Sequence, residues 1–533
     1  MAAGITTSIT DESLYIPSNP SINVALVGAF KKGPTNEPFL TGNQTQFLNI
    51  TAPEGKPKIG YPTCYQSALD YLAGGGNLWC VRAVSATNPP SYAGVVISKS
   101  GNSNHAITTK VTDPESYDFL ENDCFLILSA NQGAWGNDIA IKIDSSEEAS
   151  DIAGAFVISV YRVIPGTSPA QYTQLETFTV SRNVDQLDGT GRNIYVETRI
   201  NGISNYIRVV DNTVVDSATG VAEQSDYIRL ERGSDGDAVT DGDLITALKT
   251  LEDKKLSIQL VMNGGITTPA FAKAIDSLCA YRDDETFGIL TTPADKELGT
   301  TAVTNLIEYR TTSLGLNTYR CSLYTPHVEV YDRFNDRYTF VSPDGMIANR
   351  INASIIGNNS YNFPAAGYRR GVLNEAYRVN NSFEGGLDNL AKKQINVIRK
   401  DPNRGQIVIM DDQTLWSSKS DLQSQPNMLV INLQIRPGLR EALKDYLFEL
   451  HDPITRNIVK DVIDGFMRTV VAQRSVSDFY TVCDTTNNTD NDIANGIMNI
   501  GLYVKMIKSI KYIHQNVIAT AQGVDFGSLS QAA

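Results

Sequence analysis

The chain has 533 residues, enough for several hydrophobic cores and, by length, about three or four domains. Forty-five Lys and Arg against fifty-nine Asp and Glu give a net charge of -14, which favours solubility and argues against a general nucleic-acid binder. Six widely spaced cysteines, with no CxxC and no histidine at zinc spacing, argue against a disulfide framework or zinc site; reduced thiols in a cytoplasm fit best.

The start, MAAGITTSITDESLYIP, has neither a basic n-region nor an apolar stretch, and no apolar run approaches ~18 residues, so neither a signal peptide nor a membrane span is expected. Without export, the NxS/T triplets at Asn49, Asn352, Asn358 and Asn487 carry no glycosylation meaning. Residues 1–22 read as an arm. Apolar and hydroxyl side chains alternate there, with Ile5, Thr7, Ile9, Leu14 and Ile16 as the pairing positions, before Pro17 and Pro20 punctuate the chain. Next, INVALVGAF reads as a buried strand, YQSALDYLAGGG as a helix closed by glycine, and LWCVRAV as a second strand, which opens an α/β domain over 23–87. From 88 to 232 the texture changes to short alternating runs (AFVISVYRVI, LETFTVSR, IYVETRI, NYIRVV) separated by Gly, Asn, Asp and Ser, the pattern of an inserted β-rich domain. Helix and strand alternation resumes over 233–384 and completes the α/β domain.

The segment 385–513 forms a C-terminal domain. In RPGLREALKDYLFEL, Pro437 suits a first helical turn and Leu439, Leu443, Tyr446, Leu447 and Leu450 share a face. A second core helix follows, with Asp452 as N-cap before Pro453 and a stripe of Ile454, Ile458, Val462, Ile463, Phe466 and Val470. SDFYTVC then alternates at strand period, Phe479, Thr481 and Cys483 on one side; in NIGLYVKMIKSIKYI, Leu502, Val504 and Met506 face opposite to Tyr503, Lys505 and Ile507. Between them lies CDTTNNTDND, which no calcium loop can use. A register from Asp484 places Thr489 and Asn495 where Gly and Glu belong, and one from Asp490 places Asn495 and Gly501 there. It reads as a connection whose Asx and Thr side chains bond their own backbone, with a helical turn at 492–498, between two neighbouring strands. Residues 514–533 form a second arm, with Val517, Ile518, Val524 and Phe526 as pairing positions.

Catalytic and cofactor chemistry leaves no trace. LAGGGNLW lacks a Walker lysine and follows a helix instead of preceding one. The pairs Glu147-Glu148, Asp283-Asp284 and Asp411-Asp412 read as solvated surface, and His105, His327, His451 and His514 show no HExxH spacing. No GxSxG elbow is present, so no catalytic, cofactor-binding or metal residue is named.

The order of segments resembles the contractile tail sheath family of phages and related injection particles over nearly the whole chain. The residues that carry it are NVALVGAFKKGPTNEP with YLAGGGNLWCVRAV, then GAWGNDIAIKI, VSPDGMIANRI, FPAAGYRRGVL and LAKKQINVIRK. The most specific are LQIRPGLREALKDYLFELHDPITRNIVKDVIDGF and YTVCDTTNNTDNDIANGIMNIGLYVKMIKSIKYI. One departure is His327 in YTPHVEVYD, where the family's middle region carries Trp.

This resemblance implies an α+β multi-domain fold: an inner α+β domain built from both chain ends with extended terminal arms, an α/β domain, and the β-rich insertion outside. It implies a non-enzymatic subunit that stacks as hexameric rings around a tail tube, contracts to drive the tube through a host envelope for genome ejection, and meets baseplate and tail terminator proteins. The expected location is a virion tail assembled in the host bacterial cytoplasm, with no nucleic acid, membrane insertion or cofactor. A phage-like bacteriocin or injection particle is the alternative, and an α/β enzyme a weaker one; the large insertion favours a phage. Both arms are expected to complete a sheet in a neighbouring subunit, with Phe479, Thr481, Cys483, Leu502, Val504 and Met506 as acceptors. Charge adds a further expectation. The window 211–243 carries nine acidic and two basic residues whereas 436–514 is balanced at ten each, so Lys505, Lys508 and Lys511 are candidates for an acidic tube, the other reading being a solvated lysine face.

Overall fold

A computed structural model describes residues 22–144, 152, 154–164, 166, 169–217 and 220–517. Its centre is an eight-stranded sheet in the order Ile407–Ile409, Ile395–Lys400, Cys321–Thr325, Phe287–Thr291, Leu260–Met262, Asn23–Gly28, Asn77–Arg82, Pro38–Thr41. The six inner strands are parallel and the two edge strands antiparallel. A parallel sheet must be covered on both faces, and the period-two alternation divides its side chains accordingly. Val24, Leu26, Leu260, Met262, Phe287 and Ile289 enter one core with the helices Cys64–Leu72 and Asp344–Asn358. Ala25, Val27, Val261, Leu290, Cys321 and Leu323 enter the other, with the helices Asp241–Lys249, Pro269–Tyr281 and Ala302–Glu308.

The glycines of LAGGGNLW end the first of these helices, and Gly75 takes φ +76°, which suits glycine at a helix end. The stretch 88–232 forms two antiparallel four-stranded sheets with cores of their own. Its two ends meet: the Asp237 amide donates to the Asn88 carbonyl at 3.1 Å and the Ser91 amide to the Ser234 carbonyl at 2.9 Å. Gly236 permits this closeness, because a Cβ there would stand 2.3 Å from the Asn88 carbonyl oxygen.

The C-terminal part differs from the sequence expectation in four places. The strands Ile395–Lys400 and Ile407–Ile409, assigned from sequence to the C-terminal domain, extend the central sheet, so the division at 384/385 is corrected. The helix expected to run to Leu450 stops at Leu443, followed by a 3-10 turn at Lys444–Tyr446 and by Phe448 at φ +72°. Leu447 and Leu450 are therefore exposed and off the shared face. Nor does Pro437 begin a helix. Helical backbone runs on from Gln425, and a π-helical stretch at Val430–Ile435 precedes the proline, loosening the ladder where its missing N–H would interrupt it. In the Pro453–Ala472 helix the buried stripe is Val459, Ile463, Phe466, Met467 and Val470, while Ile454 and Ile458 face outward.

Candidate assembly edge at the C-terminal strand pair

The strands Val476–Val482 and Gly501–Met506 pair antiparallel, with Phe479 opposite Val504 and Thr481 opposite Leu502. Phe479, Leu502, Val504 and Met506 pack on the main core, and Thr481 and Cys483 are buried, as their alternation requires. Tyr480 and Tyr503 form an exposed cross-strand pair with ring centroids 6.3 Å apart. The sheet has only these two strands among the described residues, so each has an outer edge of backbone donors and acceptors with no strand beside it.

The connecting loop is built as its composition indicates. The Asn488 Nδ2 donates to the carbonyls of Asp484 and Asn499, and its Oδ1 accepts from the Asn499 amide at 2.7 Å. The Asn487 Nδ2 bonds the carbonyls of Val482 and Asn499, fixing the strand ends relative to each other. Thr489 and Asp492 form a capping box at the short helix Asp490–Ala494. Bonds from Thr486 hold the Asp484 carboxyl below the usual range, and bonds from Thr489 do the same for Asp492. No metal-holding cluster of His, Cys, Asp or Glu occurs among the described residues.

Of the sequence-nominated positions, Ile5, Thr7, Ile9, Leu14, Ile16, Ile518, Val524 and Phe526 lie outside the described residues. Val517 is 80% exposed. The three lysines each have a carboxylate partner: Lys505 meets Asp478 at 3.2 Å, Lys508 meets Asp421 at 3.1 Å, and the Lys511 Nζ lies 2.7 Å from both Asp411 and Asp412. Burial works against the Lys511 ammonium, but Asp412 and Asp411 outweigh it and raise its pKa; burial likewise pushes the Asp412 carboxyl up. Asp411-Asp412 is thus a partly buried clamp, which corrects its reading as solvated surface.

Asp283-Asp284 requires the same correction. Asp284 accepts from Arg320, from the Tyr319 hydroxyl at 3.0 Å and from Arg436 at 3.2 Å. Asp283 pairs with Lys254 at 2.7 Å and Arg440 at 3.5 Å, and Arg440 grips Glu285 through both nitrogens at 2.7 and 2.9 Å. Burial pushes Asp284 up, but its bonds from Arg320 outweigh this and leave it below the usual carboxylate range. Both aspartates sit at positive φ, +58° and +59°. This junction ties the Arg436–Leu443 helix to the central sheet. Its sequence signal was the i, i+4 spacing of Arg436 and Arg440, which puts both on one helix face. Sequence reasoning also missed the exposed apolar run of Leu447, Phe448, Leu450, Ile454 and Ile458, since its periodicity reads as core.

Residues 427–520, which contain the strand pair, match the model of the phage tail sheath C-terminal domain. The chain is 28% identical over 380 residues to the tail sheath protein of Vibrio phage KVP40, covering 66% of this chain and 54% of that one. It is 26% identical over 362 residues to the tail sheath protein of Enterobacteria phage T4, covering 63% and 53%. The matches thus span about half the length of these curated relatives. Among solved structures, sheath tail proteins from Desulfitobacterium hafniense and Listeria innocua superpose with a TM-score of 0.58 each, at 13% and 12% identity. They cover 96% and 92% of this chain and 97% and 96% of theirs, a likeness of fold. The sequence matches, on the C-terminal segment and over about two thirds of the chain, support a contractile tail sheath family for this chain.

Proposed function

We propose that this chain is a structural, non-enzymatic subunit of a contractile tail sheath. In this reading it polymerises around a tail tube in a virion tail, then rearranges to drive the tube through a host envelope for genome ejection. The observation that carries the reading is the two-stranded sheet with open outer edges inside the segment that matches the family model. Two strands make a poor sheet alone and gain by adding another chain's strand. The arms, 1–22 and 514–533, are the strands to be added, each to another copy. Backbone ladders then hold subunits together while side-chain interfaces between them slide, and the contracted state is favoured by additional buried surface rather than by nucleotide hydrolysis.

The C-terminal unit together with both arms would form the inner part, facing the tube, with the central sheet around it and the 88–232 insertion outermost. Hexameric rings, baseplate and tail terminator proteins as partners, and assembly in the bacterial cytoplasm belong to the same proposal. The insertion supports a phage over a bacteriocin particle. Because Lys511 is held by two carboxylates, attachment to an acidic tube would fall first to Lys505 and Lys508, whose side chains are three-quarters exposed.

The test is deletion of 1–16 or of 515–533. Each variant should keep the circular dichroism of the full chain and sediment as a monomer under conditions where the full chain polymerises. Sheaths of normal length from either deletion would overturn the strand-addition reading.

A further inference from the structure

A segment that follows an open-edged strand and is proposed to pair with another copy faces a competing outcome: it can fold back on its own edge. Here the geometry of that competitor is favourable. The strand Gly501–Met506 has an unpaired edge among the described residues, and four residues, 507–510, would suffice for a hairpin connection. Lys511 to Val517 would then be the returning strand, with the consecutive Tyr512 and Ile513 supplying one aromatic and one apolar side chain on opposite faces. A self-closed hairpin would satisfy the edge internally and remove both edge and arm from assembly.

The structure shows residues 507–517 outside any strand, held away from that edge at three points. The Asn362 Nδ2 donates to the Ile507 carbonyl at 3.2 Å. The Lys508 Nζ meets Asp421 at 3.1 Å. The Lys511 Nζ sits 2.7 Å from a carboxylate oxygen of Asp411 and of Asp412. The third contact is the strongest built. The side chains of Asp411 and Asp412 are only 16% and 5% exposed, and the backbone amides of Gln413 and Gln425 anchor their segment through Asn396 and the Asp412 carbonyl. A carboxylate this buried needs a cation, so releasing Lys511 would be costly. Beyond the clamp the chain is open: Tyr512, Ile513 and Val517 are all at least 80% exposed.

We propose that the Lys511 clamp on Asp411 and Asp412 is a device against self-pairing: it directs the C-terminal arm across its own subunit and away from the Gly501–Met506 edge. Both the edge and the arm thereby stay open for another copy. The proposal rests on the sheath reading for its purpose, but its geometry is testable on the unassembled chain.

The experiment compares the wild type, Lys511→Ala, Lys511→Glu and Lys511→Ala with Ile513→Pro by amide hydrogen exchange on dilute, unassembled protein. Circular dichroism verifies the fold, because removing Lys511 leaves the buried Asp412 carboxylate without its cation; where a variant loses its fold, Asp411→Asn with Asp412→Asn releases Lys511 without leaving a buried charge and is read in its place. In both single variants, amides of 511–517 and the outward amides of 501–506 should exchange at least tenfold more slowly than in wild type, and polymerisation should fall in parallel. Proline removes a ladder donor and fixes φ, so the double variant should return to wild-type exchange. Exchange in Lys511→Ala and Lys511→Glu equal to wild type, or protection of 511–517 already present in wild type, overturns the clamp. Wild-type protein that never polymerises speaks against the sheath reading and leaves the exchange result to be judged separately.

Discussion

Replacing Arg440 by alanine should loosen the Arg436–Leu443 helix from the central sheet by a predictable amount. Arg440 donates one hydrogen bond to Glu285 Oε2 at 2.9 Å, lies 2.7 Å from its Oε1 and approaches Asp283 at 3.5 Å. Glu285 is mostly buried, and desolvation pushes its carboxyl up, so removing its partner leaves an incompletely solvated charge. A charge-assisted bond to a mostly buried carboxylate is worth more than an ordinary surface ion pair, ~1 to 1.5 kcal/mol here after discounting for Arg440's half-exposed side chain. The longer Asp283 contact adds ~0.2 to 0.5 kcal/mol. The sum, ~1.2 to 2 kcal/mol, corresponds to amide exchange in 436–443 about seven to thirty times faster than in wild type. Lys at position 440 keeps the charge but loses the fork, and should give roughly half the effect in free energy. In ~1 M salt, where screening acts over about 3 Å, wild type should move toward the variant. Exchange within about twofold of wild type in Arg440→Ala, or no salt response, would refute the reasoning that this polar junction holds the helix.

Further outcomes follow from packing, topology and titration. At Gly438, a Cβ would stand 2.5 Å from the Phe466 ring, so Gly438→Ala should cost ~1 to 3 kcal/mol of overpacking, offset by ~1 kcal/mol of helix propensity; thermal melting should show a loss that Phe466→Leu partly restores. Replacing 88–232 by a short Gly-Ser linker should give a folded, assembling chain, because Asn88 and Asp237 already touch; imaging that finds only soluble monomers would mean the insertion makes essential subunit contacts. Asp452 caps the Pro453–Ala472 helix through the Thr455 amide at 2.7 Å, and that bond holds its pKa below the usual value. The folded-state pKa is depressed, so the contribution is present above the unfolded carboxylate value of about 3.9 and is lost as pH falls through the folded value. Asp452→Ala should therefore lower the melting temperature at pH 7, and the gap to wild type should close toward pH 2; a gap independent of pH would contradict the assignment.

The sequence made some of these features legible and concealed others for identifiable reasons. The strand pair was readable because one face of each strand is buried and the other is wet, so period two survives in Leu502, Val504 and Met506 against Tyr503 and Lys505. The connecting loop was readable because Asn and Asp side chains bond locally, within the window that a reader scans. The end of the Arg436–Leu443 helix was not. Leu447 and Leu450 continue its apolar period, and only a left-handed Phe448, with no glycine to announce it, breaks the backbone. The paired carboxylates were misread because their partners are distant in sequence: Arg440 lies 155 residues from Glu285, and Lys511 100 from Asp411. Strands Ile395–Lys400 and Ile407–Ile409 look like any short apolar run, and only the order of the central sheet places them.

In the proposed function this chain polymerises into a sheath through its open C-terminal sheet. Electron microscopy of the purified chain, alone and with a candidate tail tube protein, decides whether it does. The expected result is hollow, helically striated cylinders in which a strand from another copy lies beside Val476–Val482 or Gly501–Met506. Discrete monomers under all conditions, or cylinders in which that sheet remains two-stranded, would contradict it.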